Sequence, residues 1–341
     1  MIELKMDRLE FSFMEVHPQA RFSIEFQRTL RIPDDGTDYP LPPGLGRFPL
    51  KHVDDFAETL SSAWRSHGGV MLPMYRSEAM WLNFNSSYIS ERETEYPFAV
   101  KVATGKICAV SGESWSNGLS SRPQNYLVVP RQPWLDGYCV EKGIIRQFVA
   151  MPLAAGYTAE EQLTGAADVG GLQIVAYPMR REVFERRFPE VRQRFHMAKA
   201  RSAMRSWDAV AGDMGLAPGG RMRQEIYTDP FDIRDWDQSA SSRCFVHIAN
   251  SLVWQSITGS APPSPPPTSK QYAKAGLPWF EYYGETHAVD GAKKLGGLKS
   301  VATLGKQMGD VPLPENESVN PAHIVKLRPK LKPNQVREEV F

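Results

Sequence analysis

Apolar and polar residues alternate at period two over residues 9–16 and again over 20–32. Leu9, Phe11 and Phe13 share one face of the first run. Phe22, Ile24 and Phe26 share one face of the second, and Leu30 and Ile32 resume it after a skip at Arg28. This is the pattern of half-buried antiparallel strands, whose successive side chains point to opposite faces. The following loop, 33–49, holds five prolines and three glycines, which interrupt any regular element. Val53, Phe56, Leu60 and Trp64 then recur at helical spacing and predict a helix over 52–66. Short apolar runs bounded by glycine turns predict strands at 70–75, 79–84, 97–103, 106–110, 125–130, 136–141, 144–151 and 171–178.

At residue 180 the period changes. Phe184, Phe188, Val191 and Phe195 fall on one helical face, with a kink or restart expected at Pro189 and an end near Gly212 and Gly215. A strand over 222–228, an acidic loop, a strand over 243–248 and a short helix over 249–257 follow. From residue 261 the run APPSPPPTSK predicts an extended polyproline conformation, and GLPWFEYY at 276–283 is dense in aromatic residues. The pattern therefore predicts an α+β protein. Its β-rich antiparallel core, a sandwich or a strongly bent sheet, spans 1–179, a basic amphipathic helical segment spans 180–215, strands and a short helix over 216–260 complete the core, and a long extended proline-rich tail with an aromatic anchor spans 261–341.

Composition narrows the class. The chain has 341 residues, enough for a sizeable core, and 42% of them are hydrophobic. Lys and Arg number 40 against 39 Asp and Glu, so global charge gives no reason to expect nucleic acid as a partner. No run of about 18 apolar residues exists, so no transmembrane segment is expected. Three scattered cysteines, Cys108, Cys139 and Cys244, are too few for a disulfide framework, and a reducing cytoplasm is the simplest compartment.

Four groups of residues carry chemistry worth testing. Cys244 and His247 hold the minimum for nucleophilic cysteine catalysis, yet positions i and i+3 of a strand face opposite ways, and a buried cysteine also serves as a small hydrophobe. Asp229, Asp232, Asp235 and Asp237 offer hard oxygens to a cation, but lack EF-hand spacing. Turn capping is the alternative, and no metal site is expected. Residues 180–205 carry nine basic side chains against three acidic ones. Arg187, Arg194 and Arg201 repeat every seven residues beside the phenylalanine face, which fits a protein interface, contact with a phosphate backbone, peripheral contact with an anionic membrane surface, or a solvated face. In IIRQFVAMPLAAGYTAEEQLTGAADVGGLQ, neighbouring Glu160 and Glu161 point different ways, so one of them would meet Arg146 in a buried pair or in a ligand site. Gln147 and Gln162 extend that polar set. The glycines there do not form a phosphate-binding fingerprint, and no cofactor is expected.

The combination YLVVPRQPWLDG, IRQFVAMPL, GYTAEEQLTG and GGLQ, with MRQEIY, SSRCF and AGLPWF further on, resembles a widespread family of uncharacterised bacterial and fungal proteins. The likeness runs over most of the chain. Ala154-Ala155 stands where relatives tend to have a glycine. The resemblance implies a grouping and no mechanism. The expectation from the sequence is thus a cytoplasmic structural or scaffolding protein that self-assembles into a homo-oligomer or filament. Its tail would dock on a neighbouring subunit through Trp279, Phe280, Tyr282 and Tyr283. The alternative is an enzyme or small-molecule-binding protein with its site in the β core around Arg146 and Glu160 or Glu161.

Overall fold

The structure is a computed structural model that describes residues 1–190, 213–281 and 288–326. It is α+β and rich in strand, with one large and mainly antiparallel hydrogen-bonded sheet. Twelve strands position the rest: β1 Arg8–Ser12, β2 Arg21–Thr29, β3 Val70–Met74, β4 Ala79–Ser86, β5 Phe98–Thr104, β6 Leu127–Val129, β7 Trp134–Leu135, β8 Gly137–Glu141, β9 Ile144–Pro152, β10 Leu172–Pro178, β11 Asp213–Arg223 and β12 Ser242–Asn250.

The strands fall into two rows. One runs β1-β2-β4-β9-β11, every pair antiparallel. The other runs β6-β5-β10-β12-β3, antiparallel except for the last pair. They join where Asp213 and Met214 of β11 pair with Ala249 and Ile248 of β12. The sheet bends there, and the inner faces of the rows meet. Phe22 of β2 lies 4.9 Å, centroid to centroid, from Phe98 of β5. Tyr138 of β8 hydrogen-bonds Thr104 of β5 and donates to Leu216 O of β11. Each buried aromatic ring in such a core contributes roughly 1.5–3 kcal/mol by leaving water.

The period-two reading of β2 holds for Phe22, Ile24 and Phe26, all buried. Its polar face is covered as well. Glu25 is buried and accepts from Arg8, Gln27 and Asn83, because β2 lies between β1 and β4 rather than at a solvated edge.

Two expected elements differ. The single helix over 52–66 becomes a 3₁₀ turn, Asp54–Phe56, and helix α1, Ser62–His67. Ser61 starts the second piece, its hydroxyl accepting from Trp64 N. Val53, Leu60 and Trp64 still share one buried cluster with Phe56 against it, so the apolar spacing reported a face and not one continuous helix. Gly215 does not end a helix either. It lies within β11, which also takes in Pro218, Gly219 and Gly220, so this strand begins at Asp213 and not at residue 222. A Cβ on Gly220 would overlap Pro33 O, and one on Gly219 would crowd Val149. Glycine there lets neighbouring backbone approach β11 closely.

Helix α2 spans Ala159–Thr164, α3 Arg181–Arg187 and α4 Ser251–Thr258. Residues 261–281 and 288–326 hold α5 Ser269–Lys274, α6 Lys293–Gly296 and α7 Val301–Met308, and they lie on the core of their own chain. Trp279, Leu295 and Val301 are buried. Pro263 O accepts from Tyr75 Oη, Ser264 O from Arg28 Nη2, and Asp34 Oδ2 accepts from Ala302 N. No helix among the described residues is long and apolar enough to cross a membrane.

Candidate ligand site

Most of the residues singled out in the sequence are tied into internal pairs. Arg146 meets neither Glu160 nor Glu161. Its Nη1 donates to Gly219 O at 3.1 Å and lies 3.5 Å from Asp34 Oδ1. Asp34 lies in the proline- and glycine-broken loop 33–49, where the sequence pattern reports no facing, so only the folded chain shows the pairing. Glu161 closes a capping box at the start of α2, accepting from Thr158 N at 3.0 Å while its own N donates to Thr158 Oγ1. Glu160 is buried and accepts from Gly170 N at 2.9 Å. Gly105 packs directly onto its carboxylate, where a Cβ would overlap Oε2. Burial raises its pKa above the ordinary carboxylate value.

The glutamines are staples. Gln147 Nε2 donates to Leu30 O and its Oε1 accepts from Ile32 N, fixing the end of β2 to β9. Gln162 bonds both the N and the O of Lys299, holding residue 299 against α2. Gln173 Nε2 donates to Gly105 O at 2.7 Å. The GYTAEEQLTG and GGLQ stretches thus converge on one glycine turn and build structure there.

Cys244 and His247 do not meet as a catalytic pair. Burial pushes the Cys244 thiol up to about 12, so it holds no reactive thiolate at neutral pH. His247 stacks on Trp64 at 4.5 Å and sits 3.0 Å from Gly68 O, and burial drives its imidazole down to about 4.

The four aspartates each have separate work. Asp229 accepts from Tyr126 Oη and Trp236 Nε1. Asp232 and Asp235 form a second capping box, and Asp237 caps Ser239 and Ala240. Among the described residues no three His, Cys, Asp or Glu gather as a metal-binding group. Arg187 of α3 pairs with Asp235 at 2.6 Å and lies over the Phe231 ring. Trp279 is fully buried and Phe280 half-buried. Arg194, Arg201, Tyr282 and Tyr283 lie outside the described residues.

A different site emerges where three of the quoted motifs meet. Leu41, Pro42, Pro43 and Gly44, with Trp81 of β4, Trp134 of β7, Asp136 and Phe280, line a cleft of about 250 Å³. The residue pairings of β7, Trp134 to Asn83 and Leu135 to Leu82, fix it beside β4. Phe280 and Leu41 exchange backbone hydrogen bonds of 2.8 and 2.9 Å, and Thr29 Oγ1 holds Pro43 O at 2.8 Å. Two glutamines secure the floor. Gln132 Nε2 donates to Trp134 O and Glu225 O while its Oε1 accepts from Tyr227 N. Gln224 Oε1 accepts from Asp136 N at 3.0 Å and its Nε2 donates to Asp136 Oδ2 at 2.7 Å.

Asp136 is 4% exposed. Burial pushes its carboxyl up to about 7, against the opposing pull of hydrogen bonds from Trp134 and Gln224. Among the described residues no cationic side chain pairs with it. The neighbouring Arg223 lies 3.8 Å from Glu281. A buried carboxyl that titrates near neutral pH beside an aromatic cleft can accept a hydrogen bond, exchange a proton, or answer a ligand's charge.

The sequence reading missed this site. Asp136 opens the strand expected over 136–141, and Trp81 and Trp134 are not among the residues the sequence singles out. QPWLDG and GLPWF each supply one aromatic wall of the cleft, Trp134 and Phe280, but nothing local to either stretch marks them as such. No protein-family profile, curated protein or solved structure matches this chain.

Proposed function

We propose that this protein binds a small molecule in the cleft lined by Trp81, Trp134 and Phe280, with Asp136 as the polar group that orients it. The observation that carries the reading is a nine-tenths buried carboxylate without a cationic partner among the described residues, at an aromatic cleft. Binding sites for small ligands combine largely apolar walls with a few placed polar groups in this way. The location differs from the one expected around Arg146 and Glu160, which do not meet: Arg146 lies beside Asp34, and Glu160 Oε2 accepts from Gly170 N. A ligand-detected NMR screen of small fragments against the full chain tests it. Fragment signals that respond to the protein and lose that response with Trp134→Leu support the site, and hits unaffected by that change refute it.

A self-assembling scaffold is the second reading. Leu277, Met308, Val311 and Ile324, in the segment expected to dock on a neighbour, are large apolar side chains left exposed, Val311 at 84%. Sedimentation of the full chain against Val311→Asp tests it. A concentration-dependent oligomer that the variant weakens supports it, and a monomer in both removes it. A reducing cytoplasm suits the three cysteines, which are unpaired and buried.

A further inference from the structure

Resting on the reading that the cleft binds a small molecule, we infer that its ligand carries an alkylated organic ammonium group, held by the rings of Trp81, Trp134 and Phe280 with its charge answered by Asp136. The chemistry of the lining makes the choice. Its described residues are three aromatic rings, Leu41, two prolines, Gly44 and one charged side chain. Aromatic faces carry negative electrostatic potential and attract cations, tryptophan most of all. The one charge is negative, so an anionic ligand would meet repulsion and a desolvation penalty together.

A sugar would bring many hydroxyls to a wall that offers few partners, leaving them desolvated and unpaired. A neutral apolar ligand would seal the Asp136 carboxylate away from water with no cation to meet it. A primary ammonium needs three acceptors for its three N–H groups, and the lining supplies one carboxylate. An alkylated ammonium needs few or none. It presents methyl groups to the rings and its charge to the carboxylate. A cleft of about 250 Å³ is large enough for a trimethylammonium head and a short stem.

The charged groups on the neighbouring segments fit this assignment. Arg223 and Lys326 both lie 3.8 Å from Glu281, so these two cations already have a carboxylate beside them. Glu225, next along from Gln224, adds no positive charge. Asp136 is therefore left for the ligand.

Calorimetric titration of the full chain with choline chloride, and with its uncharged isostere 3,3-dimethylbutan-1-ol, tests the inference. The two probes match in shape and differ in charge. Choline is expected to bind about tenfold more tightly or better, the scale of a desolvated cation–aromatic contact. Asp136→Asn is expected to narrow the gap between the two probes while the rings keep a residual preference for choline. An isostere that binds as tightly as choline overturns the inference, and that comparison needs no variant. Cleft binding by neutral fragments without preference for choline overturns the ammonium assignment and leaves the ligand site standing. No binder in the cleft at all overturns both.

Discussion

Gln224 grips Asp136 at two points, accepting from its backbone N at 3.0 Å and donating to its carboxylate at 2.7 Å. One side chain thus sets both the strand position and the carboxylate direction of the buried acid. Gln224→Leu removes both bonds and leaves Asp136 with unmet polar atoms. Chemical denaturation is expected to show a loss of roughly 2–4 kcal/mol, the scale of two hydrogen bonds plus a stranded buried group. A loss below about 0.5 kcal/mol, within the range of ordinary surface substitutions, would show that the pairing is not maintained in solution.

Asp136 also predicts a pH dependence of stability. Its native carboxyl holds a proton up to about 7, while in the unfolded chain it titrates in the ordinary carboxylate range. Between those values the native state binds more protons, so this group's contribution falls as pH rises. The slope is about 1.4 kcal/mol per pH unit for one proton. Asp136→Asn removes it. Wild type minus variant is expected to decline from about pH 4 to pH 7 and then level off, and parallel curves would contradict the assignment. His247, held near 4 by burial, acts with the opposite sign and is common to both proteins. A bound cation draws the proton off Asp136, so choline affinity is expected to rise as pH passes through 7.

The strand pattern was legible because period-two alternation is local. The sequence placed β2, β5, β9 and β10 close to where they fold. It misplaced β11, where Pro218, Gly219 and Gly220 imitate a turn. There glycine serves close contact between strands, as Gly220 does against Pro33. The site was illegible for a related reason. Asp136, Trp81 and Phe280 are far apart in the chain, and no local signal distinguishes a tryptophan at a cleft from one in a core. Glu160 and Arg146 drew attention because they are charges in an apolar run. Their partners, Gly170 N and Asp34, are a backbone group and a distant loop residue that periodicity cannot report.

Gly105 offers a test of the turn on which those motifs converge. Its φ is +52°, a region that L-residues rarely adopt, and a Cβ would overlap Glu160. Gly105→Ala is expected to destabilise by about 2 kcal/mol or more through strain and displacement of the buried carboxylate. In Gly105→Ala with Glu160→Ala the overlap with the carboxylate is gone while the backbone strain stays, so the double change is expected to be less severe than the sum of the two. Strict additivity would show that the two residues do not touch in solution.

Fluorine NMR of the full chain labelled with 5-fluorotryptophan tests the central claim most directly. The chain has eight tryptophans, each assignable by single substitution. Trp81 and Trp134 line the cleft, whereas Trp64, Trp236 and Trp254 are buried and neither line it nor adjoin a residue that does. Adding a cleft-binding fragment or choline is expected to shift the Trp81 and Trp134 resonances and leave those three unmoved. Shifts confined to the buried tryptophans, or no shift at saturating ligand, would contradict the assignment of this cleft as the binding site.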